Sequence, residues 1–279
     1  MSQSPGPNHV EIEGIGLHSG EKSKIILRPA LPGAGIVFIQ NGEKIPALLQ
    51  NLKGTQRTTS LCGLSVVEHL LSALAGTGVD DLEIEVIGRE IPILDGSALP
   101  YVEALQKGGF LNPTIVGKAT IVAKPKKERN YLEIKTHLKV TGNHAALEVF
   151  PYRGFKVNFT VEFPGVGVQQ FLFDAEKQDY KKEIAPARTF GWREELEELK
   201  TKGLALGVSL DNALVLDKNG YVNQPRFPDE IVRHKILDLI GDLSLLGRPL
   251  RAEIRAARSG HKLNADLVEK IQDFVSRFC

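Results

Sequence analysis

The chain has 279 residues, enough for one large domain or two of ordinary size, with the apolar and charged content of an ordinary globular protein. A net charge of +1 makes no electrostatic case for nucleic acid or an anionic membrane surface as partner. Only two cysteines, Cys62 and Cys279, are present, which excludes a disulfide framework and a Cys-based zinc site. The start "MSQSPGPNHV" lacks the charged and apolar regions of a secretory signal, and no apolar run approaches the roughly 20 residues that span a bilayer. A soluble, cytoplasmic protein is expected.

Residues 9–28 alternate as short strands around the turn "GLHSGE". "GIVFIQNGEKIPALL" reads as a hairpin turning at Asn41-Gly42. "SVVEHLLSALAG" (65–76) predicts a helix, opened by Ser65 in a capping box with Glu68 and closed at Gly76. "DLEIEVIG" (81–88) predicts a half-buried strand, and "LPYVEALQKGG" (99–109) a second helix. After a break at 110–117, the run from 119 to 140 returns to strand-like patterning. "GFKVNFTVEFPGV" (154–166) predicts a further strand and 189–203 a charged helix. A short strand at 212–217, a helix at 230–246, the strand "LRAEIRAARSGH" and a final helix from Asn264 complete the chain. Strands followed by helices occur twice, which predicts an α+β fold of two similar domains, 9–112 and 118–279.

In the helix at 230–246, Val232, Ile236, Leu239, Ile240 and Leu243 gather on one side, and His234, Asp238 and Asp242 on the other. His234 and Asp238 are therefore expected outside the main core, one turn apart on one face. A neutral imidazole and a carboxylate so placed can share a zinc ion. The same spacing also describes a solvated polar face with an i,i+4 pair. In "VVEHLL", His69 points away from the apolar stripe, and Glu68 beside it is either a helix cap or a base next to a metal-bound water. His261 in "RSGHKLN" is either a plain surface residue or a group that protonates a leaving amine. Cys62 reads as a small buried residue.

Taken in order, "GIGLHSG", "VVEHLLSALAGTGVDDLEIEV", "EIPILDGSALPYVEAL", "ARTFGW", "VRHKILDLIGDL" and "SGHKLN" resemble the zinc-dependent UDP-3-O-acyl-N-acetylglucosamine deacetylases of lipid A synthesis, over roughly residues 10–268. The resemblance implies His69, His234 and Asp238 as zinc ligands with an open position for water, Glu68 as general base and His261 as general acid. It implies that Asp242 orients His261 and that Thr189 helps to bind the oxyanion. Lys235, Glu162, Phe163, Arg258 and Phe190 fall on or near substrate-holding positions. Iron(II) also suits two histidines and one carboxylate. The implied substrate is an acylated UDP-sugar, taken by a monomer, with the acyl chain in a strand–helix–strand insert at 187–217. Phe190, Trp192, Leu199, Leu204, Ala205, Leu206 and Val208 would line that channel, or simply pack a helix. Val208 replaces a glycine common in relatives and is expected to alter the backbone there. Two rivals remain: a zinc hydrolase of another N-acyl substrate, and a non-catalytic UDP-lipid binding protein, which would be marked by a lost ligand or base.

Overall fold

The computed structural model describes residues 9–111 and 129–278. The boundary expected near 112–118 and the strand-like run at 119–128 lie outside them. In the first half, β1 (Val10–Ile15) and β2 (Lys22–Pro29) pair antiparallel. β3 (Ile36–Gln40) and β4 (Glu43–Pro46) form the expected hairpin. Asn41 and Gly42 close it with φ of 51° and 82°, the left-handed pair that matches strand twist. A small ribbon, β5 (Leu52–Gly54) and β6 (Ser60–Leu61), leads into α1 (Glu68–Thr77). β7 (Leu82–Ile87) and α2 (Leu99–Lys107) follow. The sheet order is β1-β2-β7-β3-β4.

The second half repeats the plan. β8 (Leu132–Glu133), β9 (Leu138–Gly142), β10 (Ala145–Phe150), β11 (Phe155–Phe163) and β12 (Gly167–Asp174) precede a short α3 (Tyr180–Glu183). β13 (Phe190–Trp192), α4 (Arg193–Thr201) and β14 (Leu214–Asp217) then form a strand–helix–strand unit whose two strands are parallel, edged by β15 (Gly220–Tyr221). α5 (Glu230–Leu243) leads to β16 (Leu250–Ala257), which enters the sheet between β11 and β10, and α6 (His261–Phe278) ends the described chain. The architecture is α+β, as expected. No described helix is long and apolar enough to cross a membrane.

The helices of the two halves meet: α1 packs directly on α5. Phe38 and Ile84 of the first sheet, Leu70 of α1, Ile236 of α5 and Phe159 of the second sheet belong to one continuous apolar core. His234, Asp238 and Asp242 lie outside that apolar core, as their side of the helix implied, but they are buried and the solvated face is excluded. Every residue of α5 except Arg233 and Lys235 is buried, because the polar side of the helix faces α1 instead of solvent.

Gly241 is what lets the two helices come so close. A Cβ there would lie 2.1 Å from the Glu68 carbonyl oxygen. Gly241→Ala is therefore expected to push α5 off α1 and to cost about 1–3 kcal/mol, read as a lowered urea midpoint. No change in the midpoint would show that the contact relaxes freely.

Several boundaries differ from expectation. α1 starts at Glu68, with no side-chain cap. Ser65 is held in a bridge with Glu90, and Val66 takes φ 63°, rare for a β-branched residue, so the capping box does not form. The helix closes at Gly78, with φ 78°, while Gly76 lies against the Tyr180 ring. The front of the predicted 189–203 helix is strand β13, because Phe190–Trp192 pairs with β14. Cys62 is exposed, since the turn that follows β6 carries it outward. Val208 has no positive φ; its neighbour Gly207 is required instead, because a Cβ there would meet the Gly16 carbonyl at 2.2 Å.

Candidate metal centre and active site

His69 enters from the first turn of α1, and His234 and Asp238 from successive turns of α5. Nε2 of His234 lies 3.2 Å from Asp238 Oδ1, and Nε2 of His69 lies 3.8 Å from the same oxygen. The imidazoles meet edge to face with centroids 5.0 Å apart. One donor atom from each residue falls within 4.8 Å of the others, and among the described residues this is the one such group.

The donor set fits a divalent cation on its own chemistry. Asp238 Oδ1 is buried without a hydrogen-bond partner, a state that demands an explanation in a folded protein. Its other oxygen is taken by Lys235 Nζ at 2.9 Å. His234 Nδ1 lies 3.1 Å from the Ala187 carbonyl, which can only accept, so Nδ1 carries the proton and Nε2 keeps a free lone pair. Burial, reinforced by His234, pushes His69 down to about 3, so its imidazole is neutral at working pH. Burial alone would raise Asp238, but His234 and Lys235 hold it well below the usual carboxylate range. Two imidazoles and an ionised carboxylate are a donor set for zinc or iron(II), and the donor types do not choose between them.

These groups form the floor of a cavity of about 330 Å³, whose walls include Glu68, Phe163, Thr189, Phe190, Lys235 and His261. Burial raises Glu68 to about 8, partly offset by the His261 cation. Its Oε2 accepts from the Thr59 amide at 3.0 Å. His261 is the first residue of α6 and donates from Nδ1 to Asp242 Oδ2 at 2.8 Å. Burial alone would lower it, but the Asp242 charge and hydrogen bond outweigh that and raise it to about 9. Asp242 also accepts from Asn264 at 2.8 Å and from the Thr59 hydroxyl at 2.5 Å. A carboxyl and a cationic imidazole thus face the donor set across one cavity; the imidazole can give a proton, and the carboxyl can take one in the ionised form that a cation held by the donor set would favour.

Phe163 and Phe190 meet edge to face at 5.3 Å on the cavity wall. Glu162 and Arg258 lie outside the cavity lining and pair with each other near the surface, each about half exposed. Trp192 lines the cavity, whereas Leu199, Leu204 and Leu206 do not, and Leu206 is 50% exposed. The sequence reading missed Thr59, Arg57 and Glu195. Arg57 and Glu195 line the cavity and face each other at 3.2 Å. Thr59 contacts both Glu68 and Asp242, yet it lies 9 residues from one and 183 from the other, so no local pattern marks it.

A family model described as UDP-3-O-acyl N-acetylglycosamine deacetylase matches residues 7–273. A protein of Syntrophotalea carbinolica named UDP-3-O-acyl-N-acetylglucosamine deacetylase is 42% identical over 272 residues, 93% of this chain and 84% of its own length. Proteins of the same name from Myxococcus xanthus and Coxiella burnetii are each 40% identical, over 93% and 95% of this chain and 83% and 88% of their own lengths.

Proposed function

This chain belongs to the UDP-3-O-acyl N-acetylglycosamine deacetylase family, and from that premise we propose that His69, His234 and Asp238 hold the metal, zinc, of an amide hydrolase. The enzyme removes the N-acetyl group of UDP-3-O-acyl-N-acetylglucosamine in lipid A biosynthesis. The single observation that carries the site assignment is the donor set, two histidines and an aspartate within 4.8 Å, open to a cavity that also holds Glu68 and His261. When bound, the ion supplies Lewis acidity toward water and the amide carbonyl.

The chain's own residues do the rest. Glu68 takes the proton of the attacking water, held in place by the Thr59 amide. The Thr189 hydroxyl, on the cavity wall, donates to the oxygen on which negative charge develops. His261, kept cationic by Asp242, protonates the departing sugar amine. Acetate and the free amine leave, and no covalent intermediate is formed. Lys235 and the Phe163–Phe190 wall bind the head group, and Glu162 with Arg258 extends that contact at the rim. The insert at 187–217 receives the acyl chain. Residues 9–112 and 118–279 act as two domains of a monomer in the cytoplasm, where nucleotide sugars are made.

Acetate release from UDP-3-O-acyl-N-acetylglucosamine tests this reading against the same nucleotide sugar without its acyl chain. Release from the acylated compound, lost on chelation and regained with zinc, is expected. A zinc-loaded protein that binds the acylated compound and releases no acetate would contradict it.

A further inference from the structure

α5 carries one residue more on its polar stripe than the chemistry uses. Glu230 lies one turn before His234, as His234 lies one turn before Asp238. It is fully buried, and its carboxylate is saturated. Oε1 accepts from the Arg188 amide and from Arg188 Nε, both at 2.9 Å. Oε2 accepts from Arg188 Nη2 at 3.2 Å and from the Arg226 amide at 2.5 Å. Arg188 is itself buried and also donates to the Gln224 carbonyl at 2.8 Å.

A buried ion pair is a poor stabilising device, because well-packed apolar residues of similar volume serve the fold as well or better. Position gives this pair a different purpose. Arg188 stands between Ala187, whose carbonyl receives His234 Nδ1–H, and Thr189, whose side is turned to the cavity. The Thr189 amide donates to the Gly96 carbonyl at 2.7 Å, and the Thr189 carbonyl accepts from Leu214 at 2.8 Å, so the strand is fixed downstream as well. Glu230 is the upstream anchor, and it is built on the same helix as the imidazole being oriented.

We propose that Arg188 and Glu230 form a positioning clamp that sets the Ala187 carbonyl against His234, and so fixes the tautomer and direction of that ligand. The clamp rests on the assignment of His234 as a metal ligand. A carbonyl partner of a ligating histidine typically changes metal affinity by about 10–100-fold when it is disturbed.

The test is zinc affinity, measured by competition with a chromophoric chelator, together with the thermal midpoint, for four proteins: wild type, Glu230→Gln, the pair Arg188→Met with Glu230→Met, and His234→Ala. Glu230→Gln keeps a single acceptor oxygen, which can serve the Arg188 amide or the Arg226 amide but not both, and removes the charge opposite Arg188; it is expected to weaken zinc by about 10–100-fold. The double methionine variant leaves no charge buried alone and is expected to melt no lower than Glu230→Gln while staying as weak for zinc, a split that a merely structural role would not produce. Wild-type zinc affinity in Glu230→Gln, or its recovery in the double variant, would overturn the clamp. If the double variant does not fold, Glu230→Gln alone decides. Wild-type affinity in His234→Ala would instead overturn the ligand assignment beneath the proposal.

Discussion

Glu68→Gln is expected to lower kcat by about 10²–10⁴ while zinc content stays at the wild-type level. Glutamine has the same shape and keeps an oxygen for the Thr59 amide, so α1 and its His69 stay in place. What disappears is the ability to accept a proton from water. Glu68 is not one of the three clustered donors, so metal and turnover separate in this variant. Paired measurement of metal by atomic absorption and of acetate release checks it. Loss of zinc together with activity would mean that Glu68 is part of the metal shell, and full activity would remove it from the mechanism.

The second large effect is at the opposite side of the cavity. His261→Ala is expected to lower kcat by about 10²–10⁴, because the leaving amine then departs without a proton. Asp242→Asn is subtler and more diagnostic. A group whose pKa is raised on folding has its stabilising charge fully present below the ordinary 6.5 and loses it as pH rises through about 9. Activity that needs the cation fades over the same alkaline range. Removal of the Asp242 charge typically moves such a pKa down by about 1–3 units. The alkaline limb of kcat should follow, and a shift of about 2 units would leave about one-tenth of the rate at pH 8. The variant should also melt lower, since Thr59, Asn264 and His261 all donate to this carboxylate. An unmoved alkaline limb in Asp242→Asn would show that His261 is not the acid.

The parts of this molecule that were legible in its sequence are those governed by neighbours in the chain. The i,i+4 spacing of His234 and Asp238 put two donors on one helical face. Asn41-Gly42 closed its hairpin because only left-handed backbone does so. Alternation marked β7 and β11, whose buried positions recur every second residue. The illegible parts depend on what packs against what. Nothing local says that the polar face of α5 is covered by α1, so its own pattern left a metal-holding face and a solvated one both open, and only the packing shows these residues to be interior.

Local rules also misled at Ser65. The capping pattern was sound chemistry, but the bridge to Glu90 and the left-handed turn at Val66 override it and free Glu68 to face the cavity. Site-forming residues and broken local rules coincide here, as expected where function sets the backbone. Thr59 and Glu230 share a related invisibility. Thr59 grips Glu68 and Glu230 grips Arg188, and such contacts exist only once the chain is folded.

The mechanism requires that His69, His234 and Asp238 surround one cation and leave it a free position. X-ray absorption at the zinc edge of the loaded protein tests it most directly. A four-coordinate ion is expected, with nitrogen and oxygen neighbours at about 2.0–2.2 Å, two of them imidazole, and one imidazole fewer in His234→Ala. A sulfur neighbour at about 2.3 Å, or a spectrum unaltered in that variant, would contradict it.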